Sequence, residues 1–170
     1  MTHDFHERLA YSHAQSDQPW WETVYTRAFP SYKCMVDVRA DGWAQRAGID
    51  RYVHLHGGKI LKVDEKVREK DWGDIALEFW SDEKRKKPGW VAKPLACDYI
   101  AYAVEPTQVC YLLPFQTLRS AWKDNCREWV RRYPRVCAPN NGYQTISVGV
   151  PPDVLFSAMT DASIVSWADG

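Results

Sequence analysis

Asp50, Asp64 and Lys66 are the residues whose types and spacing suggest chemistry. Asp50 opens one run of alternating polar and apolar residues. Asp64 and Lys66 close the next run, with Gly57-Gly58 between the two. Carboxylates on neighbouring strands repel each other unless a cation lies between them. A hard divalent ion such as Mg²⁺ fills that role with oxygen ligands and keeps several of its waters. A lysine two residues beyond one carboxylate points the same way along a strand. From there it can orient or deprotonate a metal-polarised water, or neutralise charge building on a phosphate. The chemistry implied is metal-assisted hydrolysis of a phosphodiester.

That chemistry needs a β-hairpin in a particular register. Gly57-Gly58 supplies a turn in which positive φ is free of steric cost. A loop of those two glycines alone would set Asp50 opposite Glu65 and mix Val53 and Leu55 with Lys62 and Ile60. A three-residue loop, Gly57-Gly58-Lys59, sets Val53 against Val63 and Leu55 against Leu61. One face is then apolar, and the other carries Asp50, Tyr52, His54, Asp64 and Lys66, with Asp50 across from Lys66. A slip of one residue sends every side chain to the other face, so the apolar pairing favours the three-residue loop.

The pattern of Asp50 followed by Asp64-Glu65-Lys66 at the end of the next apolar strand resembles the PD-(D/E)XK nuclease superfamily. The resemblance spans roughly residues 20–133, in the order helix, strand hairpin, further strand, helix. It implies an α/β restriction-endonuclease-like fold: a mixed central sheet of about five strands flanked by helices. Asp50 and Asp64 would hold Mg²⁺, with Mn²⁺ able to substitute, and Lys66 would assist the attacking water. Glu65 rivals Asp64 as the acidic residue, since register alone separates them. Glu22, on the first helix, is a candidate third metal ligand, because many members contribute a glutamate there; Glu7 is its alternative. Ile49 stands where the family's signature has proline. The expected activity is that of a Mg²⁺-dependent deoxyribonuclease, an endonuclease in preference to an exonuclease. A small single-domain chain of this kind resembles the stand-alone enzymes of phages and mobile elements, or of repair and recombination, many of which act as homodimers. The alternative is an inactive nuclease-fold module that binds or inhibits a partner; nine tryptophans and zero net charge favour it.

Composition sets the frame. A chain of 170 residues with 45% hydrophobic content is expected to form one domain over 1–170, its core near 20–150. The 22 basic and 22 acidic residues cancel, so any nucleic-acid surface must come from uneven distribution. Five cysteines lack Cys-x-x-Cys spacing, and the histidines His3, His6, His13, His54 and His56 complete no zinc pattern. The cysteines are expected to be reduced and mostly in the core. No apolar run reaches a membrane-spanning length and no signal-peptide core opens the chain, so a cytoplasmic, soluble protein is expected. Gly-x-Gly-x-x-Gly, phosphate-loop and Gly-x-Ser-x-Gly motifs are absent, which leaves nucleotide cofactors and serine-hydrolase chemistry without support.

Along the chain, Trp20 to Phe29 reads as a helix bounded by Pro19 and Pro30, and Cys34 to Val38 as a strand before a turn at Asp41-Gly42. Ile75 to Trp80 reads as the next strand; if it runs beside Asp64, Glu78 approaches the site. The charge run after it carries Lys84, Arg85, Lys86 and Lys87, candidate contacts for a phosphate backbone. A second hairpin spans Asp98 to Leu113. Phe115 to Tyr133 is the longest helical pattern, with Phe115, Leu118, Trp122, Cys126, Trp129 and Tyr133 in one stripe. Arg119, Lys123 and Arg127, with Arg131 and Arg132, lie off that stripe as a second candidate nucleic-acid track. Gly142 to Val150 reads as an edge strand closed by Pro151-Pro152, and the remainder as a short helix or irregular tail.

Overall fold

The structure, a computed structural model, describes residues 17–169, so Glu7, His3, His6 and His13 lie outside it. Two compact units emerge: residues up to Asp71 with Ala96–Leu112 and the segment from Ser163, and a second of Trp72–Leu95 with Leu113–Ala162. The class is mixed α/β, with one six-stranded mixed sheet and one four-stranded antiparallel sheet.

In the first unit, helix α1 (Trp20–Ala28) follows Pro19 and stops before Pro30, as the proline positions require. Strand β1 (Tyr32–Asp37) leads to a short helix α2 (Gly42–Ala47), where a turn was expected. Asp41 makes that helix possible: its side chain accepts the backbone N–H groups of Trp43 and Ala44. Gly48, at φ 70°, then ends it in the left-handed conformation that glycine adopts without steric penalty. Strands β2 (Arg51–Leu55) and β3 (Ile60–Arg68) complete an antiparallel meander with β1. β6 (Tyr99–Val104) runs parallel to β3, so a crossover must join them, and the chain between contains β4 (Ile75–Asp82) and β5 (Lys87–Pro88). β7 (Val109–Pro114) returns through a 3₁₀ turn and pairs with the final strand, β10 (Ser163–Ser166). One face of this sheet packs Val53, Leu61, Val63, Ala101 and Ala103 against Trp21, Val24 and Tyr25 of α1.

The second unit holds α3 (Phe115–Arg132), β8 (Arg135–Asn140), β9 (Tyr143–Val150) and α4 (Pro152–Ala158) besides β4 and β5. Its sheet runs in the order β5-β4-β9-β8. β9 is therefore interior and not the expected edge; the two prolines lie beyond it, where they start α4 instead of interrupting a ladder. The edge on that side is β8, whose Pro139 is tolerable there. The helix stripe read from the sequence is buried at Phe115, Leu118, Trp122 and Trp129, and Trp122 stacks on Phe79 of β4 with 5.7 Å between ring centroids. Cys97 and Cys110 are buried, but Cys34 and Cys137 are exposed, against the expectation of mostly core cysteines. Gly89 donates its N–H to Phe79 O at 2.9 Å, and a Cβ there would overlap the Glu78 backbone carbonyl. Since backbone cannot swing aside as a side-chain tip can, Gly89→Ala is expected to destabilise the protein by about 1–3 kcal/mol, read as a lowered urea midpoint.

Candidate functional site

The hairpin pairs Val53 with Leu61 and Arg51 with Val63, and Leu55 N–H donates to Lys59 O at 2.9 Å. The loop is thus three residues, as expected, but they are His56, Gly57 and Gly58. Val53 faces Leu61 and not Val63, a displacement of two positions that leaves side-chain parity intact. Asp50, Tyr52, His54, Asp64 and Lys66 consequently share the face opposite α1, while Asp50 lies level with Asp64 and not with Lys66.

At Asp50 the ladder changes character. Its N–H donates to Val63 O at 2.9 Å, and its own carbonyl accepts from Val38 N–H at 3.0 Å. Its Oδ2 accepts the Glu65 backbone N–H at 2.8 Å, a donor that a backbone carbonyl would otherwise satisfy. The side chain is thereby fixed against the start of the second acidic segment. Asp64, 4% exposed, takes Lys66 Nζ on Oδ1 at 2.7 Å. Burial raises the Asp64 carboxyl from its ordinary range to about 7; Lys66 opposes that rise and the Asp50 carboxylate, within hydrogen-bonding reach, adds to it. A carboxyl whose folded pKa is raised binds a proton more tightly in the folded state. Its contribution therefore lowers stability as pH climbs from the ordinary aspartate range to about 7, with no further change above. Asp64→Asn should flatten that slope, which urea midpoints taken between pH 4 and 8 would reveal.

Glu65 goes to the other face. Arg51 donates to it from Nε at 2.9 Å and from Nη2 at 3.0 Å, and the Tyr25 hydroxyl donates at 2.6 Å. Burial pushes the Glu65 carboxyl up, and these donors oppose it. Burial and the adjacent Glu65 raise the Tyr25 hydroxyl well above 10, so it stays a donor. Register thus separates Asp64 from its rival: Glu65 serves a buried ion pair, away from the Asp50–Asp64 face. Arg51 was missed in the sequence, although a signal existed: it shares parity with Val53 and Val63, where an unpaired charge is untenable.

The remaining candidates are dispersed. Glu22 is exposed on α1 and accepts a 3.3 Å hydrogen bond from the Tyr32 hydroxyl; α1 packs on the Glu65 face, so Glu22 does not join Asp50 and Asp64. β3 is flanked by β2 and β6, while β4 with Glu78 belongs to the other sheet. Within the second unit Lys84, Arg85, Lys86 and Lys87 are exposed, but Arg85 is paired to Asp82 at 2.8 Å and Lys86 Nζ sits 5.4 Å from the Trp80 ring centroid. On α3, Lys123 and Arg127 are exposed and Arg119 is half-buried. This unit holds 11 Lys and Arg against 8 Asp and Glu, leaving 11 against 14 elsewhere, so the cancelled net charge hides a separation.

Two carboxylates and a lysine make a donor set that fits a hard divalent cation, which commonly takes one or two protein carboxylates and completes its shell with water or substrate phosphate. Among the described residues no group of three or more His, Cys, Asp or Glu side chains converges, so any such ion would rest on Asp50 and Asp64. Among the described residues no helix is long and apolar enough to cross a membrane. Comparison of the chain with family models, curated proteins and solved structures finds no match.

Proposed function

We propose that the protein is a metal-dependent nuclease of the restriction-endonuclease-like kind, hydrolysing phosphodiester bonds in DNA and cutting internally. The observation that carries this reading is the common face of Asp50, Asp64 and Lys66, with Asp64 buried and bonded to the lysine. The order of helix, antiparallel meander and parallel fourth strand supports it. Asp50 and Asp64 would hold Mg²⁺ or Mn²⁺, which supplies charge neutralisation on the phosphate and a more acidic water. Asp50 is held rigid by its bond to the Glu65 N–H, so its carboxylate needs no reordering when the ion arrives. Lys66 balances Asp64 before the substrate binds and is then positioned to meet developing negative charge on the phosphate. In the second unit the exposed Lys84, Lys87, Lys123 and Arg127 offer attraction for a phosphate backbone.

The test is cleavage of plasmid and single-stranded DNA in Mg²⁺ or Mn²⁺ by the protein and by Asp50→Ala, Asp64→Ala and Lys66→Ala. Loss of cleavage in each variant, with calorimetric Mn²⁺ binding that needs both aspartates, is the expected result. Unchanged cleavage by all three variants removes the assignment.

A further inference from the structure

The face that carries Asp50 and Asp64 continues past them toward the hairpin tip. Val36, Tyr52 and Lys62 form the next cross-strand row, and Cys34, His54 and Ile60 the row beyond. On the β6 side the same face is closed, since Ile100 and Tyr102 are buried. Toward the tip it is open: Val36 is 45% and Ile60 46% exposed, Cys34 is exposed, and Tyr52, His54 and Lys62 are half-buried. An exposed valine and isoleucine flanking a tyrosine, a lysine and a histidine are not a solvated sheet surface of the usual polar kind.

We infer that this surface is a track for single-stranded nucleic acid, leading across β1–β3 to the Asp50–Asp64 pair. The inference rests on the nuclease reading for the identity of the polymer and adds the form in which that polymer is bound. Tyr52 is one row, about 7 Å, from Asp50 along β2, and His54 one row further. An open sheet bearing an aromatic ring suits an unstacked base, because every base presents a π-face, whereas a duplex hides its base faces. Lys62 lies beside Tyr52 on β3, a cation for a phosphate of the same strand. The opposing charge near this row is Asp98, whose Oδ2 is engaged by the Lys62 backbone N–H at 2.7 Å. Val36 and Ile60 give sugar and base edges an apolar bed at the two sides of Tyr52 and His54.

The experiment is fluorescence anisotropy of a labelled oligothymidylate with the full chain, without divalent metal so that nothing is cut. Tyr52→Ala should weaken binding about tenfold. Tyr52→Phe should bind as the parent does, and an abasic strand should erase the difference between Tyr52 and Ala. Lys62→Gln should reduce the slope of log K against log salt by about 0.7, one phosphate contact on a single strand. A blunt duplex should bind more weakly and without dependence on Tyr52. Unchanged affinity in Tyr52→Ala, an equal loss on the abasic strand, or the same Tyr52 dependence with a duplex overturns the track. Cleavage that requires Asp50 and Asp64 but ignores Tyr52 and Lys62 keeps the nuclease reading and removes the track. Tyr52-dependent binding by a protein that cleaves nothing does the reverse.

Discussion

Asp64→Asn should lower metal-dependent cleavage by about a thousandfold or more while leaving the protein as stable as before, or more so. The two effects separate because the same carboxylate is costly to the fold and needed by the site. Asp64 is buried beside a second carboxylate, and its pKa near 7 records how poorly that position tolerates the charge. An amide of nearly the same shape removes the repulsion from Asp50 and keeps an oxygen for Lys66. It also removes the anionic ligand, and with it several kcal/mol of charge stabilisation at the phosphate. Single-turnover rates and urea midpoints on the same preparation check both halves. Asp50→Asn should behave differently, since Asp50 Oδ2 accepts the Glu65 N–H; an amide oxygen can keep that bond but loses its charge assistance, which would cost about 1 kcal/mol of stability besides activity. A loss of stability in Asp64→Asn larger than in Asp50→Asn would show that the Asp64 charge is structural.

Arg51→Met is expected to be the most damaging change to the fold, at about 3–5 kcal/mol. Arg51 and Glu65 have side chains 6% and 1% exposed, joined by two hydrogen bonds and completed by the Tyr25 hydroxyl. Removing the guanidinium leaves Glu65 charged in the core, or forces it to bind a proton there. Changing Glu65 to Leu in the same protein removes the stranded charge, so Arg51→Met/Glu65→Leu should recover most of the loss, because a buried pair is worth little more than good apolar packing. Urea unfolding of the two single variants and the double variant gives the coupling directly. A double variant as unstable as Arg51→Met would mean that arginine packing, and not the orphaned acid, is what matters. The pair also bears on the site. It holds Glu65 to the α1 face, so the residues on either side of it, Asp64 and Lys66, must point the other way.

How much of this was legible before the fold is best seen in the hairpin itself. Strand side chains alternate with a period of two, so Val53, Leu61 and Val63 on one face put Asp50, Asp64 and Lys66 on the other whatever the neighbours are. The exact partners were not legible, because sliding the strands by two positions preserves every face; the placement of His56 in the loop decided between equals. Helices α1 and α3 were readable from their apolar stripes and bounding prolines, which act within a few residues. The destination of β4 was not: nothing in Ile75–Trp80 says that β9 is its partner in place of β3, since pairing is settled by which distant segment covers the apolar face. For the same reason β8 went unseen and β9 was read as an edge. Glu22 was excluded from the carboxylate pair only by the packing of α1 on the Glu65 face, and Arg51 acquired its meaning only when Glu65 and Tyr25 met it there. By itself, then, the chain determined which side chains look the same way along each element, because that follows from local backbone geometry. The tertiary structure alone decided which of them meet, because contacts between distant segments depend on how each apolar face is finally buried.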